Sequence, residues 1–302
     1  MKIIVCLKEV VDINLSISFG LSHEVLFREG LPLRLNPNDA EALTMALSLK
    51  PPDKSASPVE ITLISIGPER VEGYLRDGLA LGADRAMRIW GEEFTELSPY
   101  QKAKLLSKAI SLFGADLVFT GARSLDTGNG QVGPLIAAWF NLPCVGEVVS
   151  LELADKEKDV TLTRDIGRGE RETIQCSLPA VITVKGEGKL PYASLDKLIE
   201  SQYSEIKLLS LADLGISPAE LENDPTKVIG LVFPRPRPKK VPTPESSLPA
   251  FNRILKLLEG GISRRQGKML QGSSEEIADQ LFELLLTEGL LKPGTEQGVA
   301  GK

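Results

Sequence analysis

The chain has 302 residues, 42% of them hydrophobic and 25% charged, enough to bury a sizeable core in one large domain or two small ones. Its 35 basic against 41 acidic side chains give a formal charge of −6, which argues against a dedicated basic surface for nucleic acid. Three scattered cysteines, Cys6, Cys144 and Cys176, form no C-x-x-C pair, and a single histidine, His23, leaves the usual hydrolytic triads and most metal sites without their key residue. His23 reads as a surface residue. The N-terminal apolar run is too short for a signal peptide, and no stretch approaches the ~20 apolar residues of a membrane span, so the expected location is cytoplasmic, with no membrane insertion.

Taken in order, apolar β-branched runs alternate with helical patterns. Strands are expected at Lys2 to Leu7, Val59 to Ser65, Ala86 to Trp90 and Ala115 to Thr120. Helices are expected at Asn38 to Leu49, Glu69 to Leu81, Pro99 to Phe113 and Gln131 to Phe140. This alternation predicts βαβ units and a doubly wound, Rossmann-like parallel sheet of the adenine-nucleotide-binding type. After about residue 145 the rhythm changes. Gly146 to Leu153, Asp159 to Asp165, Glu172 to Cys176 and Ala180 to Val184 are separated only by turns, so an antiparallel extension is expected there. Residues 1–233 are read as one α/β domain. A proline-rich stretch, residues 234–249, reads as an extended linker. Residues 250–302 read as a C-terminal helical arm and tail: Pro249 to Leu258 is helical, and Ser273 to Glu288 is amphipathic, with Ser273 or Ser274 as its cap. That arm either packs on its own domain or reaches over a partner.

The most informative segment is Gly121-Ala-Arg-Ser-Leu-Asp-Thr-Gly-Asn-Gly-Gln-Val-Gly-Pro134. It leaves a strand, crosses a glycine-rich loop and enters a helix. Glycines let backbone N–H groups approach phosphate oxygens, and a helix N-terminus favours negative charge. The pattern is neither G-x-G-x-x-G nor a Walker loop. A second loop, Asn36-Pro-Asn-Asp39, precedes a helix that Asp39 can cap, and Asn36 can reach a base or ribose. The strand ends near Cys6, Ile66 and Gly121 are expected to face one crevice.

These segments together resemble the beta subunit of electron transfer flavoprotein. The resemblance runs through Val5-Cys-Leu-Lys-Glu-Val-Val-Asp12, Asn36 to Asp39, Ser65-Ile-Gly-Pro68, Ala80-Leu-Gly-Ala-Asp-Arg85, Gly121 to Gly133, Leu178-Pro-Ala-Val-Ile-Thr183 and Tyr192-Ala-Ser-Leu195. It implies an electron-carrier subunit without acid–base catalytic residues of its own. It implies pairing with an alpha subunit that holds a shared redox FAD, and docking to a flavin dehydrogenase or quinone oxidoreductase. By resemblance, the nucleotide pocket would comprise Cys6, Asn36, Pro37, Asn38, Asp39, Ile66, Gly121, Asp126, Thr127, Gly128, Asn129, Gly130, Gln131 and Val132. Leu195 falls where the family anchors its partners, and Asp165 where it has a glutamate near the alpha subunit.

The chain departs from the family at Asp126-Thr-Gly128, which loses one carboxylate. It departs again at Thr44-Met45, at Gly167-Arg-Gly169, and at Glu200 to Glu205, where a lysine cluster is usual. Family members hold either AMP or a second FAD in this pocket, and those of the second kind can bifurcate electrons. The ending Gly130-Gln-Val-Gly-Pro134 is closer to the flavin-holding form, and a glycine at 130 leaves space, so FAD is the expected ligand and AMP the alternative. Bifurcation also depends on the alpha subunit. The rival reading is a stand-alone adenine-nucleotide sensor of similar fold.

Overall fold

The structure is a computed structural model that describes residues 1–12, 32–51, 58–91, 94, 97–153, 159–226, 244, 247–258 and 270–287. His23 and most of the proline-rich stretch lie outside the described residues. The chain divides into two units, Met1–Ile229 and Gly230–Lys302.

In the first unit, β1 (Lys2–Leu7) is followed by a short pair, β2 (Glu9–Val11) and β3 (Leu33–Leu35), and by α1 (Pro37–Ser48). Then come β4 (Glu60–Ile66), α2 (Glu72–Ala80), β5 (Arg85–Ile89), α3 (Pro99–Phe113), β6 (Leu117–Gly121) and α4 (Val132–Phe140). The remainder is β7 (Cys144–Leu153), β8 (Asp159–Gly167), β9 (Glu170–Ser177), β10 (Ala180–Val184), α5 (Leu195–Gln202), β11 (Ile206–Leu209) and α6 (Pro218–Glu222). One nine-stranded sheet has the order β11-β5-β4-β1-β6-β10-β7-β8-β9. The first seven strands in that order are parallel, and β8 and β9 are antiparallel additions at one edge.

The sheet is buried on both faces because its strands are apolar on both. Ile3, Val5 and Leu7 of β1 join Leu63, Leu117 and Phe119 under α1 and α2. Ile4 and Cys6 point the other way, and with Ile64, Val118 and Val181 they pack under α3 and α4. This is the period-two alternation of a strand covered twice. Helix α3 starts on a capping box, Ser98 with Gln101, and stops at Gly114 in a positive-φ conformation of 69°.

Ala180 to Val184 departs from the antiparallel expectation. It is an interior parallel strand between β6 and β7. All five of its residues are buried, the signature of a strand covered on both faces rather than of a one-sided hairpin. The antiparallel part is the β7–β8–β9 meander alone. The edge strand β11 was not foreseen; it is four residues long, with Leu208 about half exposed.

Winding runs from β1 through β4 to β5 on one side, then returns through α3 to β6 on the other side of β1. The order therefore reverses between β1 and β6, and a crevice opens outside their carboxyl ends at such a switch point.

In the second unit, α7 (Ala250–Leu258) and α8 (Ser274–Thr287) are described. Ser273 and Glu276 form the reciprocal hydrogen bonds of a capping box at the start of α8, at 2.9 and 3.4 Å.

Candidate nucleotide site

The switch point is organised by one carboxylate. Asp39 is buried, and its Oδ2 accepts from the backbone N–H of Lys8 at 2.8 Å, just past the end of β1. Its Oδ1 accepts from the Gly121 N–H at 2.9 Å, at the end of β6, and from Asn36 Nδ2 at 3.0 Å. Asp39 thus ties together the two strands between which the sheet order reverses. It does not cap α1 as expected; Asn36 occupies that position, without a side-chain cap bond, and Pro37 starts the helix. Burial pushes the Asp39 carboxyl up to about 7, against the pull of its three hydrogen bonds and of the nearby Lys8 charge.

Asn36 is equally committed. Its backbone N–H donates to Lys8 O at 2.9 Å, which the short β2–β3 pair makes possible by returning the chain to β1. Its Nδ2 also donates to Arg123 O at 3.1 Å, and its Oδ1 accepts from the Leu125 N–H at 3.0 Å. The side chain therefore holds the glycine-rich loop, and its polar atoms are spent within the protein. Asn38 adds a second donor to Arg123 O at 3.0 Å, and its Oδ1 accepts from the Gly186 N–H at 3.2 Å.

The loop itself is shaped by three features. Asp126 accepts from Lys8 Nζ on both oxygens, at 2.6 and 2.9 Å. Burial alone would raise the Asp126 carboxyl, but the Lys8 ammonium and further hydrogen bonds bring it down to about 2. Gly128 and Gly130 have φ of 63° and 61°, a region that non-glycine residues enter at a cost. Gly121 has no room for a side chain, because a Cβ would collide with the Asp39 carboxylate.

The resulting open cleft has a volume of about 760 Å³, counting its mouth. Its walls include Cys6, Leu7, Lys8, Asn36, Asp39, Ile66, Gly121, Thr127, Asn129, Gly130, Gln131 and Val132. Pro37, Asn38, Asp126 and Gly128 are not among its lining residues; Asn38 and Asp126 act behind it, through Arg123 O and Lys8 Nζ. Pro99, Lys102 and Leu106 of α3, with Thr120, were not anticipated; Arg123 and Ser124, inside the loop expected at the pocket, complete the lining. Lys8 had a legible signal, since it lies in the opening motif, and Arg123 lies inside the loop itself.

Two observations fit this cleft to a phosphate-bearing group. The first turn of α4 opens at its wall with no side-chain cap, so its N–H groups are left for an outside acceptor. Thr120 is buried, and its Oγ1 has no hydrogen-bond partner among the described residues. Gly133, in that same first turn, stands so close that a Cβ would lie 2.6 Å from this hydroxyl. The Cys6 thiol is pushed up by burial and by Asp39, which makes it a wall residue rather than a nucleophile.

Residues 24–204 match the electron transfer flavoprotein domain. The chain belongs to the electron transfer flavoprotein family. It is 34% identical over 238 residues to an electron transfer flavoprotein subunit beta of Thermoanaerobacterium thermosaccharolyticum, covering 78% of this chain and 88% of that one. A subunit beta of Methylophilus methylotrophus is 28% identical over 90% of this chain and 97% of its own length. The caffeyl-CoA reductase-Etf complex subunit CarD of Acetobacterium woodii is 31% identical over 76% of this chain and 86% of its own. The chain is therefore an electron transfer flavoprotein subunit of the beta type. The stand-alone sensor reading is not favoured, because the match runs through most of these relatives' length.

Leu195, expected from the resemblance to be a docking anchor, is the first residue of α5 and is 71% exposed. Ile199 and Tyr203 follow at four-residue spacing and are exposed as well. Asp165 accepts from Lys185 Nζ at 2.9 Å on the β8–β9 hairpin, which brings its carboxyl below the ordinary range. Among the described residues no helix is long and apolar enough to cross a membrane, and no group of three or more His, Cys, Asp or Glu is placed to hold a metal ion.

Proposed function

We propose that the cleft between β1 and β6 holds an adenine nucleotide, with its phosphate against the loop Gly121 to Pro134 and the first turn of α4. The observation that carries this reading is the uncapped start of α4 beside the Thr120 hydroxyl, which has no partner among the described residues, both at the sheet's switch point. Thr127, Asn129, Gly130, Gln131 and Val132 supply the loop wall, and Cys6, Asn36, Asp39 and Ile66 also line the cleft. Asn38 and Asp126 hold the loop in place behind them, and Gly128 gives it its turn.

In this reading the chain pairs with an alpha subunit carrying a shared FAD, and the flavins supply the redox chemistry. This chain's residues bind, orient and exclude water; none of them moves a proton. FAD is favoured over AMP in the cleft by the loop ending Gly130 to Pro134. The exposed face Leu195, Ile199 and Tyr203 is suited to docking a flavin dehydrogenase or quinone oxidoreductase. Glu200 and Glu205, in place of lysines, point to a partner with a different charge pattern from the usual one.

Co-expression with the alpha subunit, followed by acid extraction and nucleotide analysis of the purified complex, tests this. Two FAD per heterodimer supports FAD in the cleft, and one FAD with one AMP supports the AMP alternative. A complex with no adenine nucleotide beyond a single FAD contradicts the reading.

A further inference from the structure

Of the three cations lining the cleft, Lys8, Lys102 and Arg123, the first and last are held in different ways. Lys8 is closed off by both oxygens of Asp126, at 2.6 and 2.9 Å. Arg123 has a fixed backbone and a loosely held head. Its carbonyl accepts from Asn36 and Asn38, which pins the main chain. Its side chain is 69% exposed, and its Nε stands 3.4 Å from Glu147 Oε1, a long contact for an ion pair. Screening by water makes such a contact easy to exchange.

The stem of Arg123 lies over Gly130. A Cβ at position 130 would come within 3.3 Å of Arg123 Cγ and 3.1 Å of Ala122 O, and the glycine's φ is 61°. The space that a glycine leaves there is thus taken by this arginine. It is not empty room for a ligand, as the sequence argument supposed. Glu147, which holds the head, is itself a non-glycine residue at a φ of 57°, beside the β7 bulge. A residue kept in that region marks a position the fold over-determines. The Glu147 carboxylate also faces Lys185 Nζ at 3.6 Å, so it keeps a cationic partner when Arg123 leaves.

Resting on the proposed nucleotide reading, we propose that Arg123 is the specificity residue of the cleft. It swings from Glu147 onto a second phosphate, so that the site selects adenine ligands bearing a pyrophosphate over adenosine monophosphates. The loop and α4 amides are placed for one phosphate. A second phosphate would be met by a side chain with reach and a planar fork, which the Arg123 guanidinium provides at the cleft wall. Glu147 is a positioning residue that parks the guanidinium when no second phosphate is present.

The test is calorimetric titration of the full chain, stripped of nucleotide, with AMP and with ADP. The wild type binds ADP about tenfold or more tightly than AMP, the usual scale for one charge-assisted pair. R123Q removes that advantage and leaves AMP affinity within about twofold. R123K, which keeps the charge but loses the fork, falls between the two. E147Q strengthens ADP binding severalfold and leaves AMP unchanged. Thermal melting of each variant at the wild-type temperature excludes misfolding, as expected for an exposed side chain. Equal losses for AMP and ADP in R123Q, or no loss in either, overturn the proposal. A wild type that binds neither ligand sinks the nucleotide reading itself, a separate result from losing the preference.

Discussion

Asp39→Asn separates the two roles of the carboxylate at the switch point. The amide oxygen can still accept from Gly121 N and Asn36 Nδ2, but its NH2 group then faces the Lys8 N–H, which loses its acceptor. An orphaned buried donor costs about 1–3 kcal/mol. Against this stands the charge. Burial holds the folded-state carboxyl at about 7, where the ordinary value is 3.8. Between those values the unfolded chain is ionised and the folded chain is protonated, so folding takes up a proton. Wild-type stability from this group is full near pH 4 and falls as pH rises to 7, by about 1.4 kcal/mol per unit and roughly 4 kcal/mol in all. Asn does not titrate. The variant is therefore the less stable protein near pH 4.5, by about 2 kcal/mol, and the deficit shrinks or reverses by pH 8. Urea unfolding of both proteins at intervals from pH 4.5 to 8 reads the difference, in which all other titrations cancel. A difference that stays constant across the range refutes the reasoning, because it means that the three hydrogen bonds fully offset burial.

Three further outcomes follow from the same geometry. Gly121→Ala places a methyl group against the Asp39 carboxylate and destabilises the chain by about 2–4 kcal/mol in chemical unfolding, whereas Gly73→Ala, which meets nothing within 4 Å, is neutral or stabilising. Thr120→Val removes a hydroxyl that has no partner among the described residues, so stability is unchanged or rises by up to about 1 kcal/mol while nucleotide affinity falls; unchanged affinity removes Thr120 from the site. The Lys8–Asp126 pair contributes stability that is present above pH 3.8 and is lost as pH falls towards 2. Solvent screening limits it to about 1 kcal/mol, which a Lys8→Met, Asp126→Asn double-mutant cycle at pH 7 measures.

The parallel core was legible because its strands and helices repeat with clean periods. Lys2–Leu7 and Pro99–Phe113 stand where the pattern put them. The Ser273 cap and the apolar spacing at Leu281, Leu284 and Leu285 likewise marked α8. Strand β10 was misplaced because alternation says how a strand is buried, not which neighbours it pairs with. Its unbroken apolar run was the available clue. The loop Gly121 to Pro134 was legible from its glycines. The roles of Asp39 and Asn36 were not, because a carboxylate before a helix reads locally as a cap, while its partners Lys8 and Gly121 lie 31 and 82 residues away. Arg123 fell within the expected loop, but a role of its own was not legible there, for a related reason. Only the fold shows that Gly130 makes way for it and that Glu147, on another strand, faces it.

Hydrogen exchange of the full chain with and without saturating FAD or ADP tests the central claim most directly. Slowed exchange is expected in residues 121–133, with smaller protection near residues 6–8 and 36–40. The exposed helix α5 should be unchanged. Protection confined to other segments, or none at all with bound ligand shown calorimetrically, contradicts the placement of the nucleotide between β1 and β6.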